Sequence, residues 1–129
     1  VLERLDAAIP FNEEERILFE SVQALAANVI APHAARADET GEFPWPSVNG
    51  INELGLNAMF VPEAYGGAPL SYCAYLACVR EISKACAATG IIWATNFHGM
   101  KPLIDFGTEE QKQRLLPRIA AGGIGALAI

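Results

Sequence analysis

Leu18, Val22, Leu25 and Val29 recur at spacings of four, three and four. That periodicity puts them on one face of a helix of about five turns. Asn12 stands just ahead as an N-cap, and Glu15 three residues on completes a capping box. Glu13 and Glu14 add negative charge where the helix dipole favours it. Pro32 is expected to stop this helix, leaving His33 to Glu42 as a solvated tail and loop. Pro44, Trp45 and Pro46 open a second, short helix whose Ile51 and Leu54 face inward, with Gly55 as its left-handed terminator. Leu56 to Pro62 reads as a short extended run, and Glu63 to Gly67 as a tight loop. The loop lacks the glycine spacing and lysine of a phosphate-binding loop.

Ser71 caps a third helix with Tyr72, Tyr75, Leu76, Val79, Ile82 and Cys86 on one wide face and Arg80, Glu81 and Lys84 opposite. Gly90 is expected to break or bend it. Ile91 to Phe106 is apolar nearly all round, the pattern of a central or doubly covered helix, and Pro102 is expected to kink or divide it. Thr108 and Gln111 form another capping box, Leu115, Leu116 and Ile119 are core contacts, and Gly122 and Gly123 end that helix. Ala126, Leu127, Ala128 and Ile129 look like the first residues of a strand, which needs neighbours to satisfy its backbone. The fold class is therefore all-α, a helical bundle over residues 11–122. An extension over 1–10 precedes it, and the start of a strand over 123–129 ends the chain.

The 129 residues suffice for one domain with a real core. Apolar residues make up 52% and charged residues 19%, the latter below the usual quarter. That surplus fits either a surface that meets another domain, subunit or ligand, or plain alanine richness. The net charge of -6 and the lack of a basic stripe argue against nucleic acid as a partner. Cys73, Cys78 and Cys86 are odd in number and match no metal or redox spacing, so they read as buried thiols in a reducing compartment. Residues 85–97 are apolar but too short for a membrane span. Val1 to Pro10 resembles neither a signal peptide nor an arginine-rich transit sequence.

Candidate chemistry is thin. His33 reads as a surface histidine. His98 lies in the most apolar segment beside Gly99, with Thr95 and Asn96 near enough in sequence to supply the partners a buried imidazole needs. It is open to a structural role, to lining a ligand pocket, or to acting as a base, though no carboxylate is placed to orient it. Glu13, Glu14, Glu15, Glu109 and Glu110 all fall in capping positions. No nucleophile elbow, zinc helix motif or calcium loop is present, so no catalytic residue and no metal ligand is assigned. Trp93, Phe97 and Phe106 fit a core, with stacking on a cofactor as the alternative.

Three ordered stretches carry a resemblance. They are Leu54-Gly55-Leu56 with Pro62-Glu63-Ala64-Tyr65-Gly66-Gly67 after it, then Phe106-Gly107-Thr108-Glu109-Glu110-Gln111-Lys112 with Leu116-Pro117 after it, and the ending Gly125-Ala126-Leu127-Ala128-Ile129. Together they resemble the amino-terminal helical domain of the acyl-CoA dehydrogenase family over roughly residues 11 to 129. The resemblance implies an FAD flavoprotein, usually a homotetramer, with this domain joined to a middle β-domain and a carboxy-terminal helical domain. It implies α,β-desaturation of an acyl-CoA thioester: a carboxylate removes the α proton, and the β hydrogen passes as hydride to flavin. Electron-transferring flavoprotein is the implied acceptor, and the compartment is cytoplasmic, or the mitochondrial matrix in a eukaryote. Leu127 and Ile129 would approach the isoalloxazine as cofactor-binding residues, and Ala94, Thr95, His98 and Gly99 would line the acyl pocket. The catalytic carboxylate has no counterpart here. Acyl-CoA oxidases and flavin-dependent monooxygenases use the same scaffold, and a non-catalytic helical interaction module is the alternative from another class.

Overall fold

A computed structural model describes residues 10–126. Among these residues the regular structure is entirely helical: α1 Glu13–Leu25, α2 Ala31–Thr40, α3 Trp45–Glu53, α4 Tyr72–Ala85, α5 Ala87–Phe106 and α6 Glu109–Ala120. Short 3-10 turns run over Leu56–Phe60 and Glu63–Tyr65. The expected strand is not found where it is described: residues 123–126 carry no regular structure, and 127–129 lie outside the described residues. A ladder needs a partner strand. Here the Gly123 amide instead donates to the Arg118 carbonyl at 2.9 Å, and the Asn96 side chain on α5 holds Gly123 and Gly125.

Both capping boxes form as expected. Asn12 accepts from the Glu15 amide at 2.8 Å while Glu15 accepts from the Asn12 amide at 3.1 Å, and Thr108 and Gln111 reciprocate in the same way. Glu15 does more than cap. It is only 4% exposed, and its carboxylate also accepts from the Ser71 amide at 3.0 Å, tying the start of α1 to the start of α4. Hydrogen bonding from Ser71 holds this carboxyl below its ordinary value of 4.5, outweighing the opposing effect of burial, and the Asn12 amide adds to it. A lowered folded-state value means that the stabilisation is complete above the ordinary carboxylate range and is lost as pH falls through the folded value. The melting temperature of the wild type is therefore expected to exceed that of Glu15→Gln near neutrality, and the gap to close as pH drops below 4.5. Thermal melts of both proteins over an acid series check this; a gap independent of pH contradicts it.

Pro32 does not stop the first helix. A π turn over Ala26–Ile30 leads straight into α2, so the wider turn falls just ahead of Pro32 and the helix runs on through it. Helix α2 ends at Gly41, in the left-handed conformation with φ 67°. Leu56 to Phe60 is a 3-10 turn rather than an extended run, and only Val61 and Pro62 at its end are extended. Gly55 terminates α3 as expected, with φ 67°.

The break between α4 and α5 falls at Cys86, whose backbone is extended at φ -156° and ψ 111°, not at Gly90. Gly90 is buried within α5, where an added Cβ would lie 2.0 Å from Ser83 Oγ, so it permits α4 and α5 to pack closely. The close approach also explains which side of α4 faces inward. Ala74, Ala77, Cys78 and Ile82 are buried, whereas Tyr72 and Leu76, expected inside, are 62% and 61% exposed. Pro102 stays within one continuous α5.

The main core gathers Val22, Leu25, Ile30, Ile51, Leu56, Met59, Cys78, Ile82 and Trp93. A smaller cluster of Val61, Met100 and Leu116 joins α5 to α6. Burial first, then the nearby charges of Glu15 and Glu81, pushes the Cys78 thiol up to about 12, which keeps it protonated and inert.

Candidate functional site

Helix α5 carries all four residues predicted to line a pocket. Thr95 and His98 are exposed and Ala94 and Gly99 half-buried. They fall on and beside a stripe of Ile91, Thr95, His98, Pro102 and Phe106, at spacings of four, three, four and four. Every member of the stripe is exposed and none carries a carboxylate, ammonium or guanidinium; Ile91 stands 66% and Phe106 85% in solvent. Helical periodicity makes it one continuous face. The helix is therefore not central, as its composition suggested, but covered on one side and open on the other. Its open side is apolar with Thr95 and His98 as polar interruptions, and the exposed Lys101–Asp105 ion pair flanks it toward the end of the helix.

The predicted hydrogen-bond partners of His98 are engaged elsewhere. Thr95 Oγ1 donates back to the Ile91 and Ile92 carbonyls at 2.9 and 3.0 Å. Asn96 is buried and points into the domain. An exposed imidazole needs no protein partner, so the reading of His98 as a buried, satisfied histidine is corrected: its ring is free to face a ligand. His33 is half-buried on α2, with Nδ1–H donating to the Val29 carbonyl at 2.7 Å, a local structural bond.

Of the three aromatics, Trp93 is core at 2% exposure. Phe97 is half-buried in a cluster with Phe60 and Tyr75, at centroid distances of 5.1 and 5.5 Å. Phe106 is not core. The predicted cofactor contacts Leu127 and Ile129 lie outside the described residues. The backbone leading to them is described. Gly99 is the seat of that segment: a Cβ on Gly99 would lie 3.0 Å from the Ala126 nitrogen.

An open cleft of about 610 Å³ lies between α2 and the turn into α3, lined by His33, Arg36, Phe43 and Trp45. It contains none of the predicted residues, and an exposed Arg36–Glu42 pair at 3.3 Å spans part of it. With no nucleophile or carboxylate pair converging in it, shape is its only qualification as a site, and shape alone is not enough. Among the described residues, no cluster of three or more His, Cys, Asp or Glu is arranged to hold a metal ion. No helix among them is long and apolar enough to cross a membrane.

Sequence reasoning missed Asn52 and Asn57 and gave Asn96 a different partner; the three form a connected set of amides around Trp93. Their signal was present: Asn57 sits between Leu56 and Ala58-Met59-Phe60, and Asn96 lies within the most apolar helix. A polar residue in such company is either misplaced or hydrogen-bonded to something specific.

Residues 12–123 match the family model for the N-terminal domain of acyl-CoA dehydrogenase. This chain belongs to the acyl-CoA dehydrogenase family. Among its relatives, a probable acyl-CoA dehydrogenase of Bacillus subtilis, YngJ, is 42% identical over 111 residues, covering 85% of this chain and 29% of that protein. Two solved structures superpose well. One is described as the electron transferring flavoprotein of Acidaminococcus fermentans, with a TM-score of 0.79 and 31% identity over 87% of this chain and 30% of that one. The other is an acyl-CoA dehydrogenase complexed with FAD from Bacillus anthracis, with a TM-score of 0.78 and 28% identity over 90% of this chain and 21% of that one. The chain thus spans under a third of the length of each of these three proteins. The family's helical fold extends over nearly all of the described residues.

Proposed function

We propose that this chain is the helical wall of an FAD-dependent acyl-CoA dehydrogenase that converts a saturated acyl-CoA thioester to its 2,3-enoyl form. Family membership over residues 12–123 carries the reading. The uncharged stripe on α5 supports it, because an acyl chain needs an apolar surface of that kind. FAD, when bound by the whole protein, supplies the acceptor for the β hydrogen. The residues of this chain fit one flank of such a site: Ala94 and Ile91 offer apolar surface, while Thr95 and His98 interrupt it with polar groups. Their part is to bind and orient the acyl chain and to keep water from it. The base that takes the α proton belongs to sequence outside these residues. The same reading gives the whole protein a homotetrameric assembly and an electron-transferring flavoprotein as its acceptor.

The test uses the whole protein that carries this chain. Purified with FAD, it is expected to be yellow, to bleach on adding an acyl-CoA thioester under nitrogen, and to pass electrons to an artificial acceptor faster than to oxygen. A colourless protein inert to acyl-CoA thioesters excludes the reading, and rapid reoxidation by oxygen makes it an oxidase or monooxygenase instead. Within that protein, His98→Leu is expected to change the ratio of kcat/KM between short and long acyl thioesters by about tenfold while altering stability by less than about 0.5 kcal/mol. A substrate series with a parallel thermal melt measures both, and an unchanged ratio removes His98 from the pocket.

A further inference from the structure

Three asparagines with no part in the proposed chemistry converge where the chain leaves the helices. Asn57 and Asn96 are 2% and 4% exposed. Asn57 Oδ1 accepts from Trp93 Nε1 at 3.2 Å and from Asn96 Nδ2 at 3.1 Å. Asn57 Nδ2 donates to Asn52 Oδ1 at 2.9 Å, and Asn52 Nδ2 donates to the Gly122 carbonyl at 3.3 Å. Asn96 Nδ2 reaches the Gly123 carbonyl at 3.4 Å, and Asn96 Oδ1 accepts from the Gly125 amide.

Each oxygen in this network accepts and each nitrogen donates, so the set is self-consistent. Buried amides are costly unless fully paired, and apolar side chains fill the same space at less risk. What amides add is direction. Gly122, Gly123 and Gly125 offer no side chains to pack, so their N–H and C=O groups are the handles by which this segment is held. Asparagine is a short side chain with both a donor and an acceptor, and Asn96 uses both on this segment. Gly99 completes the seat by letting residues 125–126 lie against α5.

We infer that Asn57 and Asn96 are positioning residues: they fix the line along which residues 123–126 leave the helical domain, and with it the flank that this chain offers to FAD. The inference rests on the function proposed above.

The experiment compares the whole wild-type protein with Asn96→Ser, Asn57→Leu and, as a core control on α1, Val22→Ala. Two quantities are read: amide hydrogen exchange at Gly125 and FAD affinity by fluorescence titration. Loss of a buried hydrogen bond of this kind is expected to speed Gly125 exchange and weaken FAD binding by about tenfold each in both asparagine variants. Val22→Ala is expected to lower the melting temperature without either effect. Asn96→Ser retains a hydroxyl and is the milder change should Asn57→Leu fold poorly. Faster exchange at Gly125 with unchanged FAD affinity overturns the positioning role, as does an equal loss of affinity in the control. A wild-type protein that binds no FAD overturns the proposed function, and this inference with it. That failure is distinct, because it is seen before any variant is compared.

Discussion

Replacing Trp93 by alanine is expected to cost about 3–5 kcal/mol of stability, the range for emptying a buried aromatic site. Trp93 is 2% exposed and sits where the core meets the asparagine network. Its ring lies 5.6 Å from both Phe60 and Tyr75 between centroids, and its Nε1–H is one of two donors to Asn57 Oδ1. Truncation leaves a large cavity and also leaves part of a buried amide group underused. The two contributions separate with Trp93→Phe, which keeps most of the apolar volume and removes the donor. That variant is expected to lose less than the alanine variant but to loosen the segment at Gly123 and Gly125. Denaturant unfolding of the three proteins ranks them; equal losses in the two variants would mean that ring volume contributes little.

Gly67→Ala is the second large effect, expected at about 3 kcal/mol, the upper end for forced overpacking. A Cβ at Gly67 would lie 1.7 Å from the Val61 carbonyl oxygen, a backbone atom with nowhere to go. The turn is closed on both sides: the Gly67 amide donates to the Pro62 carbonyl at 3.2 Å and the Ala68 amide to the Ala58 carbonyl at 2.9 Å. Val61 is fully buried in the cluster with Met100 and Leu116, so a displaced turn disturbs the α5–α6 contact as well. Gly55→Ala is the informative contrast. It adopts φ 67° but has open space around it, so only conformational strain of about 1–2 kcal/mol is expected. If thermal melts gave Gly55→Ala the larger loss, the close contact at Gly67 would not be the controlling feature.

The features legible in the sequence were those determined by near neighbours. Asn12 with Glu15, Ser71, and Thr108 with Gln111 cap helices through contacts three residues away, and all three sites formed as expected. What escaped was set by distant parts of the chain. Tyr72 and Leu76 are apolar and their spacing sets them inward, yet the small residues Ala74 and Ala77 face the core. Size, which hydropathy does not register, decides that choice where two helices approach closely. Cys86 breaks the long apolar stretch without a glycine or proline to announce it, because the partner that fixes the break, Gly90 packed on Ser83, is itself tertiary. For the site, the helix bearing Ala94, Thr95, His98 and Gly99 was legible, but not which side of it is open. An all-apolar pattern has no polar face to mark the solvent side. The amide network was missed because its members are scattered over residues 52 to 96 and meet only in the fold.

A π turn holds one residue more than an α turn, so α1 and α2 form a single rod whose halves are out of step by about a hundred degrees. A row of greasy side chains begun at Leu18 is steered past the interior at Ile30, after which α2 buries none of its residues. One extra peptide unit thus leaves the far end of the rod no more than half-covered, with Phe43 and Trp45 just past it available to whatever lies alongside.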